Sequence, residues 1–280
     1  LLADKWLLEQ RQSDYWKHGS VCEDYKSINA AVLAVGGWHD GYRNTVEKLV
    51  SNLDAPVKGI VGPWNHRYPH LAEPEPKIGF LQESLRWWDK WLKNIDNGVE
   101  NNPDYRLFIM DSIEPKRKLT SRSGRWINLP LDSPGAISLN TFFLGDGVLS
   151  DVEMIFKKDL KVNSPIDVGF ATGEFFPYNF GPELPAEQSL DDAKSLCFNG
   201  AILTRAKNII GAPTVKLLIS SNKPLAQLAV RLCDLRPNGT SALISHGFIN
   251  LTMNGSFENP RHLTVDQKFK VNLQLDQIAY

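Results

Sequence analysis

The first strong pattern in the chain is a continuous apolar run, Ala31-Val32-Leu33-Ala34-Val35, that stops at Gly36-Gly37. It is too short for a helix and does not alternate, which predicts a strand buried on both faces. After Asp40-Gly41 the spacing changes. Tyr42, Val46, Leu49, Val50 and Leu53 fall on one face of a helix, and Asp54-Ala55-Pro56 ends it. Val57-Lys58-Gly59-Ile60-Val61, closed by Gly62-Pro63, predicts a second strand. Strand, helix and strand in so short a span form a βαβ unit, which implies parallel pairing and a right-handed crossover.

A longer helix is predicted over residues 78–94. Leu81, Leu85, Trp88 and Leu92 make its apolar stripe, widened by Trp87 and Trp91, while Glu83, Arg86, Asp89, Lys90 and Lys93 face outward. Such a stripe is read as packing against a large apolar surface. From about residue 103 the period becomes two, with candidate strands at 105–110, 138–144, 215–220, 228–232, 241–245 and 269–275. Arg236-Pro237-Asn238-Gly239 is a turn between two of them. Many short strands without intervening helices predict a sandwich or jelly roll. Residues 163–194, rich in Pro, Gly and aromatics, have no clear period and read as a long ordered loop of the kind that often carries function.

Composition narrows the class. The 280 residues carry a formal net charge of −1, which lacks the electrostatic footprint of a nucleic-acid binder. Apolar residues make up 42%, as in an ordinary soluble protein, and no run approaches the length of a membrane helix. Neither nucleic acid nor membrane is therefore expected as a partner. Cys22, Cys197 and Cys233 are odd in number and far apart, so they read as small buried hydrophobes or free thiols. The chain opens on Leu1 rather than Met and ends mid-alternation at Tyr280, so it reads as a piece of a longer protein. It is expected to be soluble, with the cytoplasm the favoured compartment.

The candidate chemistry sits at the ends of the first two strands. Asp40 follows the first and His66 the second. Parallel neighbours end on the same edge, so the two loops lie side by side. A carboxylate there can accept a hydrogen bond from imidazole Nδ1, fix its tautomer and stabilise the imidazolium while Nε2 takes a proton from a nucleophile.

The residues around this pair are specific. Gly36-Gly37-Trp38-His39-Asp40-Gly41-Tyr42, Gly62-Pro63-Trp64-Asn65-His66 and Leu85-Arg86-Trp87-Trp88-Asp89-Lys90-Trp91-Leu92 closely resemble the CocE/NonD hydrolases, a cocaine esterase-like family related to Xaa-Pro dipeptidyl-peptidases and α-amino acid ester hydrolases. The resemblance extends to 143–149 and 230–239, which look like segments of that family's C-terminal jelly roll, and to the stretch ending at Tyr25, which looks like its helical cap. It implies three regions: the end of a helical cap over 1–25, the C-terminal part of an α/β-hydrolase domain over 26–115, and a galactose-binding-like jelly roll over 116–280, truncated at its C-terminus.

By the same resemblance Asp40 is the triad acid and His66 the triad histidine of a serine hydrolase acting on an ester or peptide, with esterase favoured over dipeptidyl-peptidase. Trp38 and Trp64 beside these loops are candidates for a substrate pocket. The family's nucleophile lies in a G-x-S-x-G motif upstream of the cap, and no such motif occurs here. The chain by itself is expected to be inactive, with the N-terminal half of the same protein as its partner and a homo-oligomer as a further partner expectation. No cofactor is implied. The competing reading is a non-catalytic jelly-roll module that binds sugar or peptide. His66 and His70 have H-x₃-H spacing, but Pro69 breaks any helix that would put both on one metal, so no metal site is expected.

Overall fold

The computed structural model describes residues 2–130, 137–154, 158–178 and 183–280. Two short helices, α1 (Leu2–Leu8) and α2 (Asp14–His18), bury no side chain and lie on the surface. The βαβ unit follows as β1 (Val32–Gly37), α3 (Thr45–Asn52) and β2 (Val57–Gly62), with β1 and β2 parallel and in register from Val32 opposite Val57 to Gly37 opposite Gly62. After α4 (Phe80–Lys93), β3 (Tyr105–Met110) continues the parallel order beside β2, and β4 (Gly124–Leu129) closes the sheet antiparallel to β3. The order is β1-β2-β3-β4.

Three expectations change here. The first strand is not buried on both faces: β1 stands at the sheet edge among the described residues, and within it only Ala34 and Gly37 are buried. Tyr42 lies outside α3, is 62% exposed, and turns toward the site described below, leaving Val46 and Val50 as the helix's buried residues. In α4 the expected stripe is not the buried face, although Trp87, expected to widen it, is buried. Ser84 and Trp87 are its buried residues, while Leu81, Leu85, Trp88 and Leu92 are all exposed. Two residues expected to face outward instead pair with the rest of the chain, Glu83 with Arg106 on β3 at 2.8 Å and Lys90 with Glu100 at 2.8 Å. Hydrophobic periodicity locates an apolar face without saying what covers it.

The remainder is β-rich: β5 (Phe143–Leu144), β6 (Leu149–Ser150), a one-turn α5 (Ser189–Asp192), then β7 (Ile210–Gly211), β8 (Thr214–Ile219), β9 (Gln227–Leu235), β10 (Ser241–Asn250), β11 (Phe269–Gln274) and β12 (Ile278–Ala279). The last six pair antiparallel in a nested series, β9 with β10, β8 with β11 and β7 with β12. Gly239, at φ 87°, makes the tight turn at the centre of the nest, where a side chain would be strained. Of the strand expected at 138–144 only Phe143–Leu144 forms. Residues 179–182 of the loop at 163–194 lie outside the described residues. The cysteines are not core residues, since Cys22 and Cys197 are exposed and Cys233 is half-buried, its thiol pushed up to about 11 by burial.

One apolar cluster spans both regions. Val46, Val50, Val61, Leu107 and Phe108 from the parallel unit pack with Ile244, Ile278 and Ala279 from the β-rich part. No helix of the described residues is long and apolar enough to cross a membrane.

Leu107→Ala, at a fully buried position, should cost about 2–5 kcal/mol of stability in urea unfolding. Leu85→Ala should stay within about 0.5 kcal/mol of the parent. A large loss at Leu85 would mean that this face of α4 is covered.

Candidate active site

Parallel registry brings the ends of β1 and β2 together, and the loops beyond them are bonded to each other. Trp38 N–H donates to the Gly62 carbonyl at 2.9 Å and His39 N–H to the Trp64 carbonyl at 3.0 Å. The approach needs glycine: a Cβ on Gly37 would sit 2.1 Å from the Trp64 oxygen. Trp38 and Trp64 lie beneath the loops, each 1% exposed, their indole N–H groups given to the Phe108 and Pro76 carbonyls. They hold the loops from below, and among the described residues other rings stand at the surface of the site.

On this base Asp40 and His66 meet. The Asp40 carboxylate is buried, with Oδ1 accepting from Tyr42 N–H at 2.8 Å and Oδ2 lying 2.9 Å from His66 Nδ1. Occupying one oxygen with a backbone donor aims the other at the imidazole. Asn65, also buried, braces the histidine loop by bonding the Glu73 backbone in both directions. The His66 side chain remains 43% exposed.

The loop at 168–178 crosses this edge. Pro177 C=O accepts from His66 N–H at 2.9 Å, and Tyr178 C=O accepts from Arg67 Nε at 2.7 Å. Phe176 lies against the imidazole, ring centroids 4.4 Å apart, and Tyr42 packs edge-on to both rings. Nothing in the sequence pointed to Phe176 specifically; the aromatic, aperiodic character of its loop was the available signal.

A second contact comes from the C-terminus. Arg43 Nε donates to the Asp40 carbonyl at 2.7 Å, and its guanidinium approaches Asp276 at 3.7 Å. Asn44 donates to Asp276 at 2.8 Å and accepts from Gln277 N–H at 2.7 Å. These partners are separated by more than two hundred residues and carry no motif. His70 is placed apart from the pair, stacked on Phe80 at 6.0 Å. Among the described residues no group of three His, Cys, Asp or Glu is arranged to hold a metal ion.

His39 is the most perturbed group here. Burial, then the charges of Arg43 and Arg122, push its imidazole down to about 3.

Comparison with known proteins identifies the family and the fold. The model of the X-Pro dipeptidyl-peptidase C-terminal non-catalytic domain matches residues 97–280, and that of the X-Pro dipeptidyl-peptidase (S15 family) matches residues 1–68. The chain is similar to a cocaine esterase from Rhodococcus sp. strain MB1 Bresler, 21% identical over 292 residues, covering 96% of this chain and 50% of the relative. In fold it resembles a CocE/NonD family hydrolase from Staphylococcus aureus, with TM-score 0.68, 12% identity, and 100% of this chain against 49% of that one. It also resembles an aminopeptidase from a marine sediment Thaumarchaeota archaeon, with TM-score 0.68, 16% identity, and 99% against 50%. The chain thus spans about half the length of these proteins.

The depressed His39 gives a pH prediction with a definite sign. The unfolded chain binds this proton below the ordinary histidine value of 6.5, whereas the folded chain resists it down to about 3. Stability is therefore complete above that upper value and falls as pH drops through the window. Between about pH 6.5 and 5 the loss should approach at most about 1.4 kcal/mol per pH unit in urea unfolding. His39→Leu should flatten the slope. An unchanged slope would show that His39 takes up its proton freely in the fold.

Proposed function

The chain belongs to the X-Pro dipeptidyl-peptidase C-terminal domain family, within the CocE/NonD-type hydrolases, and from that premise we propose that it supplies the acid and the base of a serine hydrolase. The observation that carries this reading is the 2.9 Å contact between Asp40 Oδ2 and His66 Nδ1 across two adjacent strand-end loops. With Nδ1 committed to Asp40, Nε2 is the basic nitrogen. It takes the proton from a serine hydroxyl as the oxygen bonds to an ester or amide carbonyl carbon. It returns that proton to the departing alcohol or amine, and a water then repeats the cycle to release the acid.

The serine and the oxyanion-hole donors belong to the upstream half of the same protein. Two surfaces support that partner: the exposed Leu81, Leu85, Trp88 and Leu92 on α4, and the edge position of β1. Tyr42 and Phe176 around His66 are the aromatic wall of the acyl pocket, above the tryptophans that support the loops. The nested antiparallel pairs support a galactose-binding-like jelly roll from about 116 onward, preceded by the hydrolase part over 26–115 and the cap end over 1–25. An acyl esterase is favoured over a dipeptidyl-peptidase.

The test is hydrolysis of a p-nitrophenyl ester. The 280-residue chain should show none above background, and joining it to the upstream half should restore turnover. In that longer protein Asp40→Asn should lower kcat on the order of 10⁴-fold, because the amide favours the wrong imidazole tautomer. His66→Ala should abolish most of the rate, while His70→Ala should leave it near the parent value. Near-parent activity in Asp40→Asn, or collapse in His70→Ala, would assign the chemistry to other residues.

A further inference from the structure

Asp276 stands in the short link between β11 and β12, inside the part of the chain that matches the non-catalytic domain. Its backbone is clamped on both sides by β10. The Asp276 N–H donates to the His246 carbonyl at 2.9 Å, and its own carbonyl accepts from Ser245 Oγ at 2.7 Å. A residue held this firmly presents its carboxylate in one direction, toward the loop that carries Asp40. Oδ1 accepts from Asn44 Nδ2 at 2.8 Å, while Oδ2 lies 3.7 Å from Arg43 Nη1 and 3.8 Å from His246 Nε2. Burial pushes the His246 imidazole down, so the charge that Asp276 faces at neutral pH is that of Arg43.

Arg43 has two carboxylates in its field. Burial pushes its guanidinium down, and the charges of Asp276 and then Asp40 oppose that push. The two acids are used differently. Toward Asp40 the guanidinium spends Nε on the backbone carbonyl at 2.7 Å, and the Asp40 carboxylate is left to Tyr42 N–H and His66. Arginine makes its strongest contacts with carboxylates, so a guanidinium with no other anion beside it would turn to the Asp40 oxygens and compete with the imidazole. Asp276 supplies that other anion. We infer that Asp276 is a positioning residue for the Asp40–His66 pair, acting through Arg43 to keep Asp40 Oδ2 for His66 Nδ1. Its effect on turnover rests on the hydrolase reading above; the contact it protects does not.

Two readouts keep that role and the hydrolase reading apart. In the 280-residue chain the His66 Nδ1–H proton, assigned by its loss in His66→Gln, reports the contact with Asp40 by NMR. Asp276→Asn keeps the shape and the acceptor for Asn44 but drops the charge, and should move this signal upfield or broaden it away. Arg43→Lys, which gives up the Nε contact, should do the same. The double variant should be no worse than either single one, because both act on one path. In the protein joined to its upstream half, Asp276→Asn should lower kcat about ten- to a hundredfold with KM near the parent value. Asp276→Glu should recover part of that loss. Leu273→Ala, at a buried position in β11, destabilises the same end of the chain and should leave both the His66 signal and kcat at parent values. A parent-like His66 signal in Asp276→Asn, additive losses in the double variant, or an equal loss in Leu273→Ala would overturn the positioning role. So would a parent-like kcat in Asp276→Asn while Asp40→Asn collapses. Parent-like kcat in Asp40→Asn, with the His66 signal still moved by Asp276→Asn, would remove the hydrolase reading and leave the positioning role standing.

Discussion

The whole site rests on how closely two backbone loops can approach. Parallel pairing of β1 with β2 brings their carboxyl ends level, but level ends alone would leave Asp40 and His66 a loop's width apart. The gap closes because Gly37 presents no side chain to the Trp64 carbonyl, and because Trp38 N–H and His39 N–H find acceptors in the opposite loop. Beneath them the two indoles fill the space that backbone cannot, each with its one polar atom satisfied. The tryptophans support the two loops mechanically. A smaller apolar residue would leave both a void and an orphaned carbonyl.

That division of labour explains which parts of the molecule could be read from its sequence. The βαβ unit was legible because its signals are local: an apolar run, a 3.6-residue period, a proline stop and a second run. Asp40 and His66 were legible for the same reason, each being placed by the strand it follows. What escaped detection was whatever depends on partners distant along the chain. The exposure of Leu81, Leu85, Trp88 and Leu92 on α4 was not legible, because an apolar stripe carries no record of whether anything in the same chain covers it. β4 was missed because Gly-Arg-Trp-Ile-Asn-Leu neither alternates nor runs apolar, and only β3 makes it a strand. The pocket reading fell on Trp38 and Trp64 since tryptophan beside a loop looks the same in sequence whether it points up or down.

The β-rich region matches a domain described as non-catalytic, yet its loop is bonded to the backbone of His66 and laid across its ring. The two statements are compatible. Phe176 and Pro177 contribute no acid or base; through the ring contact and the Pro177 carbonyl they limit the positions open to the imidazole. An aromatic ring 4.4 Å from His66, with Tyr42 edge-on to both, restricts rotation that would break the Nδ1 contact with Asp40. Gly41 shows how tight the arrangement is, since a Cβ there would meet the Phe176 ring at 2.5 Å.

The C-terminal segment acts on the other member of the pair, and here the shared core becomes a functional constraint. Ile278 and Ala279 are buried with Val61 and Leu107, so the chain just before them cannot move independently of the parallel sheet. Asp276 and Gln277 are thereby held against Asn44 and Arg43, and Arg43 in turn holds the Asp40 carbonyl. Asp40 is thus fixed at its carboxylate by Tyr42 and His66 and at its carbonyl by a guanidinium that depends on the far end of the chain. Placing that guanidinium beside His39 has a cost, because it adds positive charge to a buried region where Arg122 is already present. A histidine kept neutral is the response compatible with folding, as a protonated ring there would face two like charges in a medium of low dielectric.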